Sequence, residues 1–221
     1  MKSMRYLFFI PALFVPVLLV TAQTPAPSKF ATSAPAKKTA TAAPVKNFKE
    51  SGSPNAPVRI EIYTDYECPA CRDLYMNALP SINSDFVATG KVQLLHRDYP
   101  LPQHQYSKLA TRYANAAGEI GKYEVVANQL FVTQPQWAAD GKVDGVVAKV
   151  LSPAEMEKVR GLVKNDTHLD DSVTADVAMG TNVDHLSQTP TIVVVSKGKR
   201  DVIGGMPPYI VFKQFVNQKL K

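Results

Sequence analysis

The stretch from Val58 to Arg97 constrains the fold most, because it reads as strand, helix, strand. Val58-Arg59-Ile60-Glu61-Ile62-Tyr63 alternates and is rich in β-branched residues, the pattern of a strand. The spacing predicts a helix from Pro69 to about Ala88, bent near Pro80 and stopped at Gly90. Val92 to Arg97 forms the second strand. This order implies a parallel pair joined by a crossover helix. At the strand-to-helix junction stands Cys68-Pro69-Ala70-Cys71, which contains the only two cysteines among 221 residues. A secreted chain held by structural disulfides would scatter an even set of cysteines, whereas a single C-x-x-C suits a reversible dithiol/disulfide couple.

A length of 221 residues with 45% hydrophobic and 20% charged fits one ordinary domain with attachments. The formal charge of +6 hints at nucleic acid only until the charges are located. Six of the 25 basic residues, Lys2, Arg5, Lys29, Lys37, Lys38 and Lys46, precede residue 47, while all 19 acidic residues fall at Glu50 or later. The remaining 19 basic residues balance them, so no nucleic-acid partner is expected.

Residues 1–22 read as an export signal. Lys2 and Arg5 form a positive start, Tyr6 to Val20 an apolar run, and Val20-Thr21-Ala22 a small-residue cleavage site, with cleavage expected after Ala22. A retained anchor is the competing reading, but the run is shorter than the roughly 20 residues a spanning helix needs. Pro11 and Pro16 also interrupt it. The chain is thus expected to be exported to a periplasmic or other extracytoplasmic compartment, where a dithiol pair meets still-reduced proteins. Residues 23–47 are Pro, Ala, Thr, Ser and Lys with almost no large apolar side chains, the composition of a disordered linker. The ordered domain is expected over 48–221.

Residues from about 100 to 188 should be mostly helical. Leu109, Tyr113, Ala117 and Ile120 keep helical spacing, as do Tyr123, Val126, Ala127 and Leu130. Ser152, Pro153 and Glu155 form a capping box with proline at the first helical position. A helix from Asp171 to Met179 should close on Gly180. Thr191 to Val195 is a buried strand, joined by a turn at Lys197-Gly198 to a shorter one from Arg200 to Ile203. Pro207-Pro208 then opens a last helix expected to turn Ile210, Val211, Phe212, Phe215 and Val216 inward.

A β-α-β unit with Cys68-Pro69-Ala70-Cys71 at its junction is similar to one half of a thioredoxin fold. Gln188-Thr189-Pro190-Thr191 before a hairpin and terminal helix is similar to the other half. With the helical stretch between them, the chain resembles the DsbA-like thiol-disulfide oxidoreductases from about Phe48 to Lys221. Gly52-Ser53-Pro54-Asn55-Ala56-Pro57, Asp65-Tyr66-Glu67 and Gly204-Gly205 agree with that resemblance. The fold class implied is α/β, a thioredoxin-like fold with a mostly helical insertion at about 100–188 between the β-α-β half and the C-terminal β-hairpin-helix half. The resemblance also implies that Thr189-Pro190 is a cis peptide against the motif, with the Thr189 backbone able to pair with an extended client segment. Two departures stand out. The family often places a buried carboxylate six residues before the first cysteine, where this chain has Ile62, with Glu61 one residue out of phase on the other face. Its strongest oxidants carry a histidine between the cysteines, where this chain has Pro69-Ala70.

The chemistry asks for a thiolate nucleophile and a second thiol to resolve the mixed disulfide. With Cys68 at the helix N-cap and Pro69 at its first position, the N–H groups of Ala70 and Cys71 should supply most of the thiolate stabilisation at Cys68. Cys71, one turn inward, is the expected resolving thiol. Pro69 and Ala70 are the expected redox-tuning positions, and Thr189 and Pro190 the client-binding ones. Glu67 and Asp65, if close, would oppose the thiolate, and Arg72 would support it. His104 follows Pro100 and Pro102 and is a candidate contributor to the site. A zinc site would need two more ligands, and His96, His104, His168 and His185 show no paired spacing, so no metal and no cofactor are expected. The residue after the second cysteine is Arg72 rather than the histidine of a haem attachment motif.

These features lead to an enzyme, an exported thiol-disulfide oxidoreductase introducing disulfides into exported proteins. A disulfide reductase or isomerase of the same fold is the alternative within the class. A peptide-binding or chaperone-like module with a structural disulfide is the alternative of another class, though so short a loop would be a poor staple. Expected partners are reduced or misfolded exported clients and a membrane redox protein, a quinone-linked oxidase or a reductase, with the protein itself acting as a monomer.

Overall fold

The computed structural model describes residues 47–221. Five strands form one sheet in the order β1-β3-β2-β4-β5. They are β1 (Glu50–Gly52), β2 (Val58–Thr64), β3 (Val92–Asp98), β4 (Thr191–Ser196) and β5 (Lys199–Gly204). β2 runs parallel to β3 with Thr64 opposite Asp98, and antiparallel to β4 with Tyr63 opposite Thr191. The end of β2 and the start of β4 therefore meet, although 127 positions separate Thr64 from Thr191 in the chain. β4 turns into β5 through Lys197 and Gly198, both at positive φ (48° and 75°). The thioredoxin-like α/β fold with its helical insertion, expected from the sequence, is the fold observed. β1 was not expected: its Glu-Ser-Gly carries no alternation, and it exists by pairing antiparallel with the edge of β3.

The crossover helix after the motif is not uniformly α. α1 (Pro69–Asp73) passes through a π-helical turn at Leu74–Ala78 into α2 (Leu79–Ile82) and a second π-helical turn at Asn83–Val87. Leu79 N–H bonds to the Leu74 carbonyl five residues back. Pro80 has no N–H to offer and its ring clashes with the carbonyl four residues back, so the widened turn spreads the bend expected there. Gly90, at φ 72°, follows the end of this helical run.

Between β3 and β4 lie α3 (Ser107–Glu119), α4 (Tyr123–Val132), α5 (Gln134–Trp137), α6 (Val143–Val147), α7 (Pro153–Asn165) and α8 (His168–Asn182). The capping box on α7 forms as expected, with Ser152 Oγ accepting from Glu155 N–H and Glu155 accepting from Ser152 N–H. Trp137 is wholly buried and its indole N–H donates to the Leu130 carbonyl at 2.8 Å, which makes it a packing residue. Three expectations need correction. Gly180 lies inside α8 and does not close it: a Cβ there would stand 2.7 Å from Leu186 Cδ1 and 2.8 Å from Tyr99 Cε2, so close packing demands glycine. On α3 the buried stripe is Ala110, Tyr113, Ala114 and Ala117 while Leu109 is exposed, because alanines let neighbouring helices approach. On α9 (Tyr209–Lys219) Phe212 and Val216 are buried, but Ile210 and Val211 precede that stripe and point outward.

The two faces of β2 have different chemistry. Ile60 and Ile62 join the apolar core with Cys71, Leu74, Ile82 and Phe86. Glu61 faces the other way, as alternation requires, and accepts from Arg97 at 2.6 Å and Arg200 at 3.1 Å. Arg200 also holds Asp184, which accepts a bond from Tyr63 Oη. Nearby, buried Lys49 is enclosed by Asp98 and Asp176. Burial alone would push its pKa down, but the two carboxylates outweigh that and raise it. The expected export signal, and all but the last residue of the expected linker, lie outside the described residues. Among the described residues no helix is long and apolar enough to cross a membrane.

Candidate active site

Cys68 is the N-cap of α1, in extended conformation with Pro69 next to it. Its carbonyl starts the helix by accepting from the N–H groups of Cys71 and Arg72, both at 3.1 Å. Pro69 has no N–H and the Cys71 N–H is taken by the Cys68 carbonyl, so of this first turn only the Ala70 N–H is left without a carbonyl partner. Cys68 is 7% exposed and Cys71 is wholly buried. Both are free thiols. The Cys68 Sγ donates to the Thr189 carbonyl at 3.4 Å, and the Cys71 Sγ accepts from the Asp65 N–H at 3.4 Å.

These surroundings split the two titrations. The Cys68 pKa is lowered to about 5, chiefly because the Cys71 thiol donates to it, against the opposing effect of burial. The Thr189 side chain and the N–H groups of Cys71 and Ala70 add to the effect. The sequence reading gave the helix amides the leading part, and the order is the reverse: the neighbouring thiol comes first. Thr189 Oγ1 is buried without a hydrogen-bond partner of sound geometry, so its influence is that of a dipole beside the sulfurs. The Cys71 pKa is raised well above its ordinary value, by burial first and then by its bond to Cys68 and the charge there.

The Thr189-Pro190 peptide is cis, as the resemblance implied, and both residues are buried beside Cys68. The Pro190 carbonyl accepts from Gly205 N–H at 2.8 Å. A Cβ on Gly204 would come 3.1 Å from Gln188 Nε2, so Gly204-Gly205 lets β5 close against this loop.

Polar residues around the motif are tied up in specific ways. Asp65 is wholly buried; its Oδ2 accepts from Leu101 N–H and pairs with His104 Nδ1, each at 2.7 Å, and its Oδ1 accepts from Glu67 N–H. Glu67 accepts from Tyr106 N–H at 2.7 Å. Arg72 donates its Nε to the Phe131 carbonyl at 3.0 Å. His104 is thus linked to Cys71 through one intervening residue, while His96 is buried between Tyr75 and Tyr123 and His168 is exposed.

Gln134 had no signal in the sequence. Buried at the start of α5, it donates its Nε2 to the carbonyls of Tyr66 (2.6 Å) and Cys68 (3.0 Å), so the helical insertion reaches back and clamps the loop that carries the nucleophile. A glutamine 66 residues downstream leaves no local pattern that would reveal this.

The family model described as thioredoxin matches residues 49–200. The chain belongs to the thioredoxin family. Disulfide bond formation protein D of Bacillus subtilis is 26% identical over 186 residues, covering 80% of this chain and 79% of that protein. A shorter match, 37% identical over 49 residues, links it to the probable disulfide bond formation protein D of Bacillus cereus; it spans 22% of this chain and only 23% of that relative's length. Among solved structures, alpha-DsbA1 of Wolbachia pipientis superposes with a TM-score of 0.66 at 19% identity, covering 78% of this chain and 90% of that one. Oxidised BdbD of Bacillus subtilis gives 0.65 at 23% identity, covering 78% and 92%. The resemblance to DsbA-like thiol-disulfide oxidoreductases read from the sequence, and with it the oxidoreductase class, holds at the level of family and fold.

Proposed function

We propose that this protein exchanges disulfides with exported client proteins through Cys68 and Cys71, acting mainly as an oxidase that donates the Cys68–Cys71 disulfide. One observation carries the reading: an almost buried sulfur at a helix N-terminus with its pKa lowered to about 5, beside a fully buried second thiol. A stabilised thiolate favours the reduced form, so the disulfide form is the better oxidant. The Bacillus relatives are named for disulfide bond formation, which supports the same direction. Lys2, Arg5 and the apolar run after them support export, and oxidising equivalents would come from a membrane redox partner such as a quinone-linked oxidase. Thr189 and Pro190 are proposed to line the client groove, with the Thr189 backbone pairing with an extended segment.

Against this, Ala70 offers Cys68 no side-chain donor, which argues for a less oxidising couple and keeps a reductase or isomerase of the same fold as the second reading. The test is to mix the disulfide form with a reduced, unfolded protein and to measure the Cys68–Cys71 reduction potential against glutathione. Stoichiometric transfer of the disulfide, with a potential above that of glutathione, is expected. A potential well below glutathione would make the protein a reductase, and a bond that does not exchange would leave only a structural disulfide.

A further inference from the structure

We infer that His104, acting through Asp65, is a positioning residue that makes formation of the Cys71 thiolate sensitive to the charge on its imidazole. This rests on the thiol-disulfide reading above and names the group that regulates its buried half. Ile62 fills the strand position where related proteins often hold a carboxylate, and it packs in the apolar core. Asp65, at the end of the same run of chain, places its main-chain N–H on the Cys71 sulfur and its carboxylate, wholly buried, on His104. The carboxylate's other donors, the amides of Leu101 and Glu67, are neutral. A buried carboxylate is costly unless its charge is balanced, and an imidazolium supplies that balance where an imidazole does not. The His104 side chain is 21% exposed, so it can trade protons with water, whereas Asp65 and Cys71 cannot do so directly.

Other charges nearby have their own partners. Glu67 is bound by the Tyr106 amide and Arg72 by the Phe131 carbonyl, while Tyr66 Oη donates to Tyr123 Oη. Thr189 brings only a carbonyl and a hydroxyl from the loop before β4. Cys68 contributes the remaining charge, as a thiolate.

The exchange shows where the device acts. A client thiolate attacks Cys68 Sγ, a client–Cys68 bond forms, the Cys68–Cys71 bond breaks, and its electron pair leaves on Cys71. That thiolate accepts the Asp65 N–H and takes the proton that the second client thiol gives up as it becomes the attacking thiolate. A second client thiolate attacks the client sulfur and releases the Cys68 thiolate, so the client is oxidised by two electrons and the protein reduced by two. With His104 charged, the pair Asp65–His104 is neutral and a negative Cys71 forms beside it. With His104 neutral, the Asp65 charge opposes it.

The test compares the parent protein with His104→Gln and His104→Arg. The rate of reduction of the disulfide form by dithiothreitol is followed between about pH 5.5 and about pH 8, the range in which imidazole changes charge. The parent should exceed His104→Gln by about tenfold at the acidic end, the worth of one pKa unit, and approach it at the alkaline end. His104→Arg should hold the advantage across the range. A parent-to-Gln ratio that is constant with pH overturns the inference. A second measurement needs no variant to fold for its main result: titration of the His104 ring by NMR in the disulfide and dithiol forms. In the dithiol form the negative charge on Cys68 is shared with the Cys71 thiol that donates to it, so by reciprocity the midpoint should be higher there than in the disulfide form, where Cys71 carries no charge, and equal midpoints overturn the inference. If the parent disulfide exchanges with no protein thiol at all, the proposed function fails, and the NMR comparison still decides the coupling.

Discussion

The Cys68 sulfur lies 3.4 Å from the carbonyl oxygen of Thr189, a residue 121 positions away, and donates to it as a thiol. When Cys68 ionises, that donor is lost and the carbonyl faces a negative sulfur. The oxygen is then better served by an N–H from outside, which is what an incoming extended segment offers. Under the proposed function, ionisation of Cys68 and the docking of a client segment at Thr189 would be linked in this one contact.

The order of the two thiols follows from their burial. Cys71→Ser should accumulate mixed disulfides with clients through Cys68, and Cys68→Ser should trap almost none. Non-reducing electrophoresis after incubation with a reduced unfolded protein reads this directly. If alkylation at neutral pH labels Cys71 faster than Cys68 in the dithiol protein, the assignment is reversed.

A depressed thiol pKa also ties stability to pH. The ordinary value is 9.0 and the folded dithiol protein lowers it to about 5, so the stabilising effect is complete above pH 9 and is lost as pH falls toward 5. The raised pKa of Cys71 matters only on the alkaline side and does not enter near neutrality. At about 1.4 kcal/mol per pKa unit, the unfolding free energy of the dithiol form relative to the disulfide form should fall by about 2 kcal/mol between about pH 7 and about pH 5. Urea denaturation of the two forms at both pH values measures it, and a difference that does not move with pH would remove the thiolate from the account.

The exposed Ala70 offers Cys68 only its backbone N–H, leaving room for tuning. Ala70→His would place a partly protonated imidazole beside the thiolate, lower the Cys68 pKa further and make the disulfide more oxidising. One pKa unit is worth about 30 mV for a two-electron couple, so a rise of tens of millivolts is expected. An unchanged or more reducing potential would hand control of the poise to burial and to the Cys71 bond.

Gln134→Leu removes the donor shared by the Tyr66 and Cys68 carbonyls while keeping the volume close. Leaving a buried carbonyl unpaired costs about 1–3 kcal/mol, and Cys68 still has two amide donors, so the expected loss of stability is about 1–3 kcal/mol in all. Loosening the N-cap should also raise the Cys68 pKa, read by thiolate absorbance. A variant that loses stability with an unaltered thiol titration would confine Gln134 to holding the insertion in place.

Features with a local signature were legible in the sequence. β2 and β4 announce themselves by β-branched runs, β3 by its apolar Val92, Leu94 and Leu95, the Lys197-Gly198 turn by its glycine, and the α7 start by Ser152 and Glu155. The motif and the Thr189-Pro190 turn were legible too, although their meeting was implied by resemblance alone. What escaped depends on distant partners. β1 is a strand only because Leu94 and Leu95 stand opposite it. Gly180 looked like a helix stop because its reason, the approach of Tyr99 and Leu186, lies outside the helix. Ile210 and Val211 are apolar yet exposed, and composition does not say which of five neighbouring apolar residues a helix will bury. Gln134 and the Asp65–His104 pair bridge 66 and 39 positions and carry no periodic trace.

The antiparallel seam between β2 and β4 carries one more consequence. Because Tyr63 and Thr191 face each other by strand register, the two halves of the sulfur site are assembled without help from the segment that connects them. That segment is free to lengthen, shorten or exchange helices over evolutionary time while the reactive geometry stays put. Its freedom ends at the few side chains that reach back, chiefly Gln134 and His104, and it is there that inheritance should be least negotiable.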